Sequence, residues 1–248
     1  RLAEPLVIAI SVSNRSTICQ VLESIRKFSP ILQKPQCINK TRILLMFLGS
    51  EFTCPTDFEH PCIIRFHSNI NNVNILDTTS RGRNQIIDKR HQKQTLHFVQ
   101  LIEHAHKILS EGFVMLLDDD SVWCPNLYKI LESHLKKRTF LFMHLGQGSS
   151  GIVIPRDKLL GVKTYLQKNI DKSNVDILIM LWAEKTSQCR LASRKRLMLH
   201  KGITSTFGKQ WRDDNACSDD MKNHRLFLQF PQTMDDDFHS ANCHTKRF

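Results

Sequence analysis

Three consecutive carboxylates, Asp118, Asp119 and Asp120, directly follow the apolar segment 113–117. Because unpaired charges inside a buried strand carry a large desolvation penalty, we expect these side chains to be exposed at the carboxyl end of a strand. Open α/β sheets bind their ligands at that edge. Carboxylates clustered there suit a hard divalent cation, which often holds phosphate groups. The alternative is a strand followed by an ordinary acidic turn, since aspartate is common in turns.

The chain around this triplet predicts alternating strands and helices. Segments 6–12 and 42–48 are apolar and β-branched, and residues 16–28 between them have apolar side chains at helical spacing. A strand, a helix and a strand joined by short links form a βαβ unit, which implies a parallel sheet. Residues 94–109 form a clear amphipathic helix ahead of the acidic strand. We therefore expect an α/β fold with a mostly parallel central sheet flanked by helices.

The rest of the sequence extends this pattern over one domain. Further predicted strands are 63–66, 139–145, 152–154 and 197–200, and further predicted helices are 126–135, 158–167 and 176–182. We predict an α/β domain over residues 1–212 and a polar, loop-rich tail over residues 213–248. A second acidic run, 235–237, follows no apolar strand, so we interpret it as a solvated charge cluster.

The net charge of +11 on 248 residues invites a nucleic-acid-binding interpretation. The basic residues occur in scattered groups, however, and no zinc-finger, homeodomain or RNP-type pattern accompanies them, so we expect no nucleic-acid partner. No apolar run reaches the roughly 18 residues of a membrane span. The chain opens with Arg1, and we expect a targeting segment or membrane anchor in a part of the protein outside this sequence.

The sequence contains eight cysteines and no C-x-x-C pair, which argues against a structural zinc site. An even number is compatible with disulfides in an oxidising compartment, but the spacing does not define the pairing. Cys19 lies within an apolar helical pattern, and we expect it to pack as a small hydrophobic residue. Two N-glycosylation sequons begin at Asn14 and Asn39. Together these features favour the secretory pathway.

Several motifs resemble the N-acetylglucosaminyltransferase IV family. The segment 93–98 (Lys-Gln-Thr-Leu-His-Phe) opens a helix that leads to 117–120 (Leu-Asp-Asp-Asp), with a Pro-Asn pair at 125–126. In that family, a Lys-Gln-Asn-Leu-Asp-Tyr segment leads in the same way to Leu-Glu-Asp-Asp and Pro-Asn. The segments 189–190 and 200–209 are similar to two later stretches of the family, so the resemblance covers about residues 6–210. The related GPI-glycan N-acetylgalactosamine transferases share much of this pattern.

The sequence departs from the family in several respects, including His97-Phe98 in place of Asp-Tyr, Ser121-Val122 in place of Ile-Val, and a loop after His200 that is one residue shorter. Asp118 replaces the glutamate of the acidic motif. The large C-terminal lectin-like domain of the family is absent from this sequence or reduced to the polar tail.

The resemblance implies a GT-A type, Rossmann-like fold for nucleotide-diphospho-sugar transfer. It also implies a metal-dependent, inverting enzyme that transfers N-acetylglucosamine or N-acetylgalactosamine from a UDP donor to a glycan acceptor. Mn²⁺ would be the cofactor, and the acceptor would be a glycoprotein or a GPI glycan. The expected location is the Golgi lumen. The alternative is a catalytically inactive relative that acts as a binding or partner protein.

With this resemblance, individual residues acquire expected roles. We expect donor contacts from six residues, Ser13, Lys93, Gln94, Asp118, Asp119 and Asp120, and metal contacts from Asp120 and His200. Asp176 is the candidate general base. The candidates outside the acidic triplet also have simpler structural roles. Lys93 and Gln94 can form an ordinary first helical turn. His200 can be structural, and Asp176 can cap a helix.

Overall fold

The computed structural model describes residues 5–13, 17–37, 40–49, 54, 59–70, 80–81, 86–87, 89–136, 142–145, 150–186, 190–192, 197–201, 217 and 227–229. The strands in these ranges are β1 (Leu6–Val12), β2 (Arg42–Phe47), β3 (Ile63–His67), β4 (Ser80–Arg81), β5 (Ile86–Ile87), β6 (Phe113–Asp118), β7 (Ser121–Trp123), β8 (Phe142–His144), β9 (Ile152–Pro155), β10 (Arg190–Ala192), β11 (Met198–His200) and β12 (Phe227–Gln229). The α-helices are α1 (Thr17–Phe28), α2 (Lys89–Ile108), α3 (Leu127–Leu135), α4 (Leu159–Lys168) and α5 (Val175–Lys185).

Eight of these strands form one mixed sheet in the order β12-β10-β8-β9-β6-β1-β2-β3. Strands β3, β2, β1 and β6 are parallel to one another, whereas β9 is antiparallel to both β6 and β8. In β1, Ile10 lies between Leu45 of β2 and Leu117 of β6, so the carboxyl ends of β1 and β6 lie side by side. The sheet confirms the predicted α/β fold with a mainly parallel centre.

Strand β1 contributes side chains to two cores, because successive residues of a strand point to opposite faces. Leu6, Ile8 and Ile10 pack in one core with residues of α1 and α3. Val7 and Ala9 pack in the other with residues of α2, α4 and α5. Helices therefore cover both faces of the central strands, which is why these strands are apolar along their whole length.

Helix α2 extends along the strand direction, between the amino ends and the carboxyl ends of the parallel strands. Only residues 109–112 separate it from β6, so the two elements run antiparallel. At 1.5 Å per residue, Lys93 lies about 22 Å along the axis from Ile108, while β6 is about 17 Å long. The first turns of α2 therefore lie at the carboxyl edge of the parallel strands. Within the described part of the chain, no helix is both long and apolar enough to cross a bilayer.

Helix α2 begins five residues before the predicted start at Gln94. The first turns contain polar residues, of which His91 and Gln92 are buried. Apolar periodicity detects only apolar buried side chains, so this part of the helix gave no signal. The three-residue strands β7, β10 and β12 were also missed, because they are too short for alternation to be recognised.

Gly112 joins α2 to β6 in a left-handed conformation, with φ of +98°. A Cβ atom there would overlap the backbone carbonyl of Pro5, which also accepts a hydrogen bond from the Phe113 N–H at 3.0 Å. Gly112→Ala is expected to lower the free energy of unfolding by about 2 kcal/mol or more, because backbone strain and the overlap act together. Urea denaturation measures the change. Gly49→Ala is the matched control, since a Cβ at that position meets nothing within 4 Å, and equal losses in both variants would contradict the prediction.

Three disulfides link the described cysteines: Cys19 to Cys54, Cys37 to Cys62, and Cys124 to Cys217. The prediction that Cys19 packs only as a small hydrophobic residue is therefore wrong. The helical pattern predicted that Cys19 is partly buried. It did not predict that Cys54, 35 residues away, lies next to Cys19 and is bonded to it. Cys189 and Cys243 lie outside the described residues.

Part of the predicted tail is attached to the domain. Strand β12 pairs antiparallel with β10 at the end of the sheet, and Cys217 is bonded to Cys124. The tail is therefore not composed of loops alone, while the boundary at residues 212/213 stays a prediction. The acidic run 235–237 lies outside the described residues.

Candidate functional site

The acidic triplet forms a sharp corner between β6 and β7. Asp118 is the last residue of β6, Asp119 and Asp120 form the turn, and Ser121 begins β7. Asp118 lies opposite Ser11 of β1, so the corner stands at the carboxyl edge of the central parallel strands, as the sequence predicts. We call residues 118–121 the acidic corner.

Asp119 is joined to the end of β1. The backbone N–H and the Oγ of Ser13 both donate to Oδ2 of Asp119, at 2.7 and 2.9 Å. Hydrogen bonds to an ionised acceptor are stronger than those between neutral groups. Asp119 and Asp120 are only 4% and 2% exposed, so the expectation of exposed carboxylates is wrong for these two. Other parts of the protein therefore cover these two carboxylates at the carboxyl edge.

Other hydroxyl groups hold the two strands that meet at the acidic corner. Ser150 accepts a hydrogen bond from the Asp118 N–H at 3.2 Å, and its hydroxyl donates to that of Ser121. Ser24 of α1 accepts a hydrogen bond from the Trp123 N–H at 2.9 Å. Sequence reasoning missed all three serines. The glycines at positions 146 and 148 of the sequence were a usable signal for Ser150, because glycine allows close backbone approach. Ser24, in contrast, looks like any other polar residue of a helix.

Strand β11 brings a distant part of the chain to the acidic corner. It pairs antiparallel with β7, so that His200 lies opposite Ser121. The backbone N–H of Lys201 donates to the carbonyl oxygen of Asp120 at 2.8 Å. The backbone at His200 is therefore next to the corner although 80 residues separate it from Asp120, and the metal-binding role of His200 stays a prediction. Lys201, which sequence reasoning also missed, adds a cationic residue at this position.

Lys93 and Gln94 are half-buried residues in the part of α2 that reaches the carboxyl edge. One turn further on, His97 is 5% exposed. Burial, reinforced by the positive charge of Lys93, lowers the pKa of His97 from 6.5 to about 4. The imidazole of His97, one turn after Lys93, is therefore neutral at physiological pH. The expected donor contacts of Lys93 and Gln94 stay predictions.

The lowered pKa of His97 makes stability depend on pH. As the pH falls below 6.5, the unfolded state takes up a proton at His97, while the folded state does so only near pH 4. This contribution is complete above pH 6.5, and about 3 kcal/mol is lost on acidification to about pH 4. His97→Gln should remove this part of the pH dependence, as measured by urea denaturation at pH 7 and at pH 4.5.

The test is the difference between the wild type and His97→Gln in the stability that each loses on acidification. The pKa values of His104 and His106 are also lowered by burial, so both proteins should lose some stability in acid. The wild type should lose more than His97→Gln. Parallel pH profiles would contradict the prediction.

Asp176 is a half-buried residue in the first turn of α5. Helix α4 runs along α2 towards the carboxyl edge, since Arg156 donates to the carbonyl of Leu109 and Lys163 pairs with Glu103 further along. The turn between α4 and α5 therefore lies towards the same edge as the acidic corner. Asp176 belongs to the helix layer on one face of the sheet, and its role as a general base stays a prediction.

The donor atoms at the acidic corner fit a hard divalent cation, because carboxylate oxygens are the ligands that Mg²⁺ and Mn²⁺ prefer. Within the described residues, no group of three His, Cys, Asp or Glu side chains is arranged to hold a metal alone. Cations bound by one or two carboxylates commonly take further ligands from substrate phosphates and water. Asp118 and Asp120 are the residues that would hold such a cation.

No known protein family matches this chain, and no curated protein does. Solved structures are similar in fold. A protein of Desulfovibrio desulfuricans G20, described as a nucleotide-diphospho-sugar transferase, is 8% identical with a TM-score of 0.45 over 76% of this chain and 78% of that chain. The galactosyltransferase LgtC in complex with donor and acceptor sugar analogues is 9% identical with a TM-score of 0.44 over 72% of this chain and 69% of that chain.

A mannosyltransferase of Pyrobaculum calidifontis in complex with GDP-Man and Mn²⁺ is 11% identical, with a TM-score of 0.43 over 73% of this chain and 52% of that chain. These similar structures are nucleotide-sugar transferases in general, and the resemblance to the N-acetylglucosaminyltransferase IV family rests on the sequence motifs alone. Such low identities and TM-scores leave the function to be decided by the residues of this chain.

Proposed function

We propose that the chain is a metal-dependent, inverting glycosyltransferase that transfers N-acetylglucosamine or N-acetylgalactosamine from a UDP donor to a glycan. The observation that carries the proposal is the acidic corner at the carboxyl end of β6, beside the end of β1. That edge of an open α/β sheet is where nucleotides bind. Clustered carboxylates there need a positive partner, and a cation with a diphosphate supplies it.

Basic residues at the carboxyl edge of the sheet support binding of a diphosphate. Lys89 and Arg90 are exposed at the start of α2, and Lys93 follows one turn later. The first turn of a helix also carries the positive end of its dipole. Lys201 lies directly beside Asp120 in the backbone. A nucleoside diphosphate between these groups would face positive charge from both α2 and β11.

The chemistry divides between the leaving group and the acceptor. When bound, the divalent cation neutralises the charge that develops on the departing UDP. Asp120 and Asp118 would hold this cation, with His200 as a further ligand. Asp176 would accept the proton of the acceptor hydroxyl as that hydroxyl attacks the anomeric carbon on the face opposite UDP. The acceptor would be a glycan of a glycoprotein or a GPI anchor.

The disulfides support a location in the secretory pathway. Such bonds persist in oxidising compartments and are rare in the cytosol, and three are present among the described cysteines. We propose that the enzyme works in the Golgi lumen, held to the membrane by a segment outside this chain.

The decisive experiment measures UDP release from a panel of UDP-sugars, with and without Mn²⁺, for protein produced in an oxidising compartment. We expect release from UDP-N-acetylglucosamine or UDP-N-acetylgalactosamine, and only with the metal. Asp157→Asn is the control, because this carboxylate is 67% exposed and pairs with Lys158 at the opposite edge of the sheet. A folded protein that releases no UDP from any donor would instead be the inactive relative.

A further inference from the structure

The middle carboxylate of the acidic corner differs from its neighbours in what it contacts. Oδ2 of Asp119 accepts two hydrogen bonds from a single residue, Ser13, 106 positions earlier in the chain. A carboxylate oxygen has about two lone-pair sites. Both sites of this oxygen are therefore used within the protein, and none is left on it for a cation.

Ser13 is itself rigidly placed. It directly follows Val12, the last residue of β1, and β1 is hydrogen-bonded along its length to β2 on one side and β6 on the other. Ser13 is the first residue after β1, so its N–H is held in place by the end of this strand. A bond from Asp119 to this N–H therefore fixes the acidic corner relative to the centre of the sheet.

The burial of Asp119 agrees with such a role. An ionised carboxylate that is 4% exposed requires hydrogen bonds to replace its lost hydration. Ser13 supplies two. If Asp119 turned towards a ligand, the N–H and hydroxyl of Ser13 would lose their acceptor at a partly buried position, which carries its own penalty.

We propose that Asp119 and Ser13 form an anchor that positions Asp120, and that neither is a ligand of the donor or its metal. This inference rests on the proposed function for what Asp120 binds, but the anchor itself is a property of the folded chain. It revises the sequence-based expectation that Ser13 and Asp119 contact the donor. Asp119 is a positioning residue, acting through the backbone that it shares with Asp120.

Conservative substitution separates anchoring from metal binding. In Asp119→Asn, the amide oxygen can still accept both hydrogen bonds from Ser13, because neither bond requires a negative charge. A metal ligand tolerates this change poorly, since the cation loses an anionic partner. We therefore expect Asp119→Asn to change the affinity for UDP with Mn²⁺ less than threefold, Asp119→Ala to weaken it at least tenfold, and Asp120→Asn to weaken it more than Asp119→Asn.

Calorimetric titration of UDP in the presence of Mn²⁺ measures these affinities. An Asp119→Asn variant as impaired as Asp120→Asn would overturn the proposal, because charge at residue 119 would then matter for the metal. Equal affinities for the wild type and Asp119→Ala would overturn it as well. Ser133→Ala, an exposed hydroxyl on α3, is the control and should match the wild type.

Urea denaturation tests the anchor without any ligand. Ser13→Ala and Asp119→Ala should each lower the unfolding midpoint. The double variant should fall by less than the two single shifts added together, because both substitutions remove the hydrogen bond from the Ser13 hydroxyl to Asp119. Additive shifts would overturn the anchor. If the wild type binds no UDP while the shifts are non-additive, the anchor stands and the proposed function fails.

Discussion

Asp120→Ala abolishes Mn²⁺-dependent binding of UDP in our proposal, with no measurable heat of binding where the wild type gives a clear isotherm. The reason is that Asp120 is the carboxylate of the acidic corner expected to hold the cation. Removing it eliminates the main electrostatic partner of the metal, and without the metal the diphosphate meets the negative charge of Asp118 directly. The measurement is calorimetric titration of UDP with and without Mn²⁺.

The fold should survive this substitution even though Asp120 is only 2% exposed. Its backbone carbonyl still accepts the hydrogen bond from the Lys201 N–H, which does not depend on the side chain. An ionised carboxylate that is buried carries a desolvation cost, and the substitution removes that cost. Circular dichroism and the unfolding midpoint check this, and Asp120→Asn provides an isosteric second variant. Unchanged affinity in both variants would remove Asp120 from the metal site.

The second large effect is expected at Asp176. If this residue is the general base, Asp176→Asn should leave UDP binding nearly unchanged and lower sugar transfer by about a hundredfold or more, the usual effect of a lost general base. The physical reason is that asparagine retains the shape and hydrogen-bonding capacity of aspartate but does not accept the proton of the attacking hydroxyl. Single-turnover transfer at saturating donor measures the chemical step.

The same substitution also tests the alternative role. A structural residue in the first turn of the helix would tolerate this change with almost no loss of transfer, because only its favourable interaction with the helix dipole, about 0.3–1 kcal/mol of stability, would be lost. Asn174 is the N-cap of α5 and Asp176 is the second residue of the helix, so the predicted capping role is wrong and the alternative is an acidic residue that interacts with the positive end of the helix dipole. Transfer retained within a few-fold would assign Asp176 to the helix start and leave the base to be found elsewhere. Asp157→Asn, at an exposed position away from the corner, controls for the loss of one negative charge.

The strands at the centre of the sheet could be predicted because they are long and apolar. β1, β2 and β6 are buried on both faces, so almost every side chain in them is apolar. The position of the three carboxylates followed from the same physics, since charges are excluded from a buried strand and collect at its end. These inferences need only the local sequence and the cost of desolvation.

The length of α2 could not be predicted in the same way. Its first turns bury polar residues such as Gln92 and Thr95, which are 1% and 0% exposed. Periodicity recognises a buried face by its apolar residues, and polar residues are buried only where other parts of the fold satisfy or cover them. The pairing of Cys19 with Cys54 was hidden for a related reason, because spacing along the chain does not define proximity in space.

What the sequence alone determined about this protein is the α/β class, the apolar central strands and the presence of an acidic group at the end of β6. Tertiary structure decided how that group is arranged. Ser13 meets Asp119 across 106 residues, and Lys201 meets Asp120 across 81. Parallel pairing of β1 with β6 and antiparallel pairing of β7 with β11 bring these residues together. Local preference places a residue on an element, whereas strand pairing and packing determine which elements become neighbours.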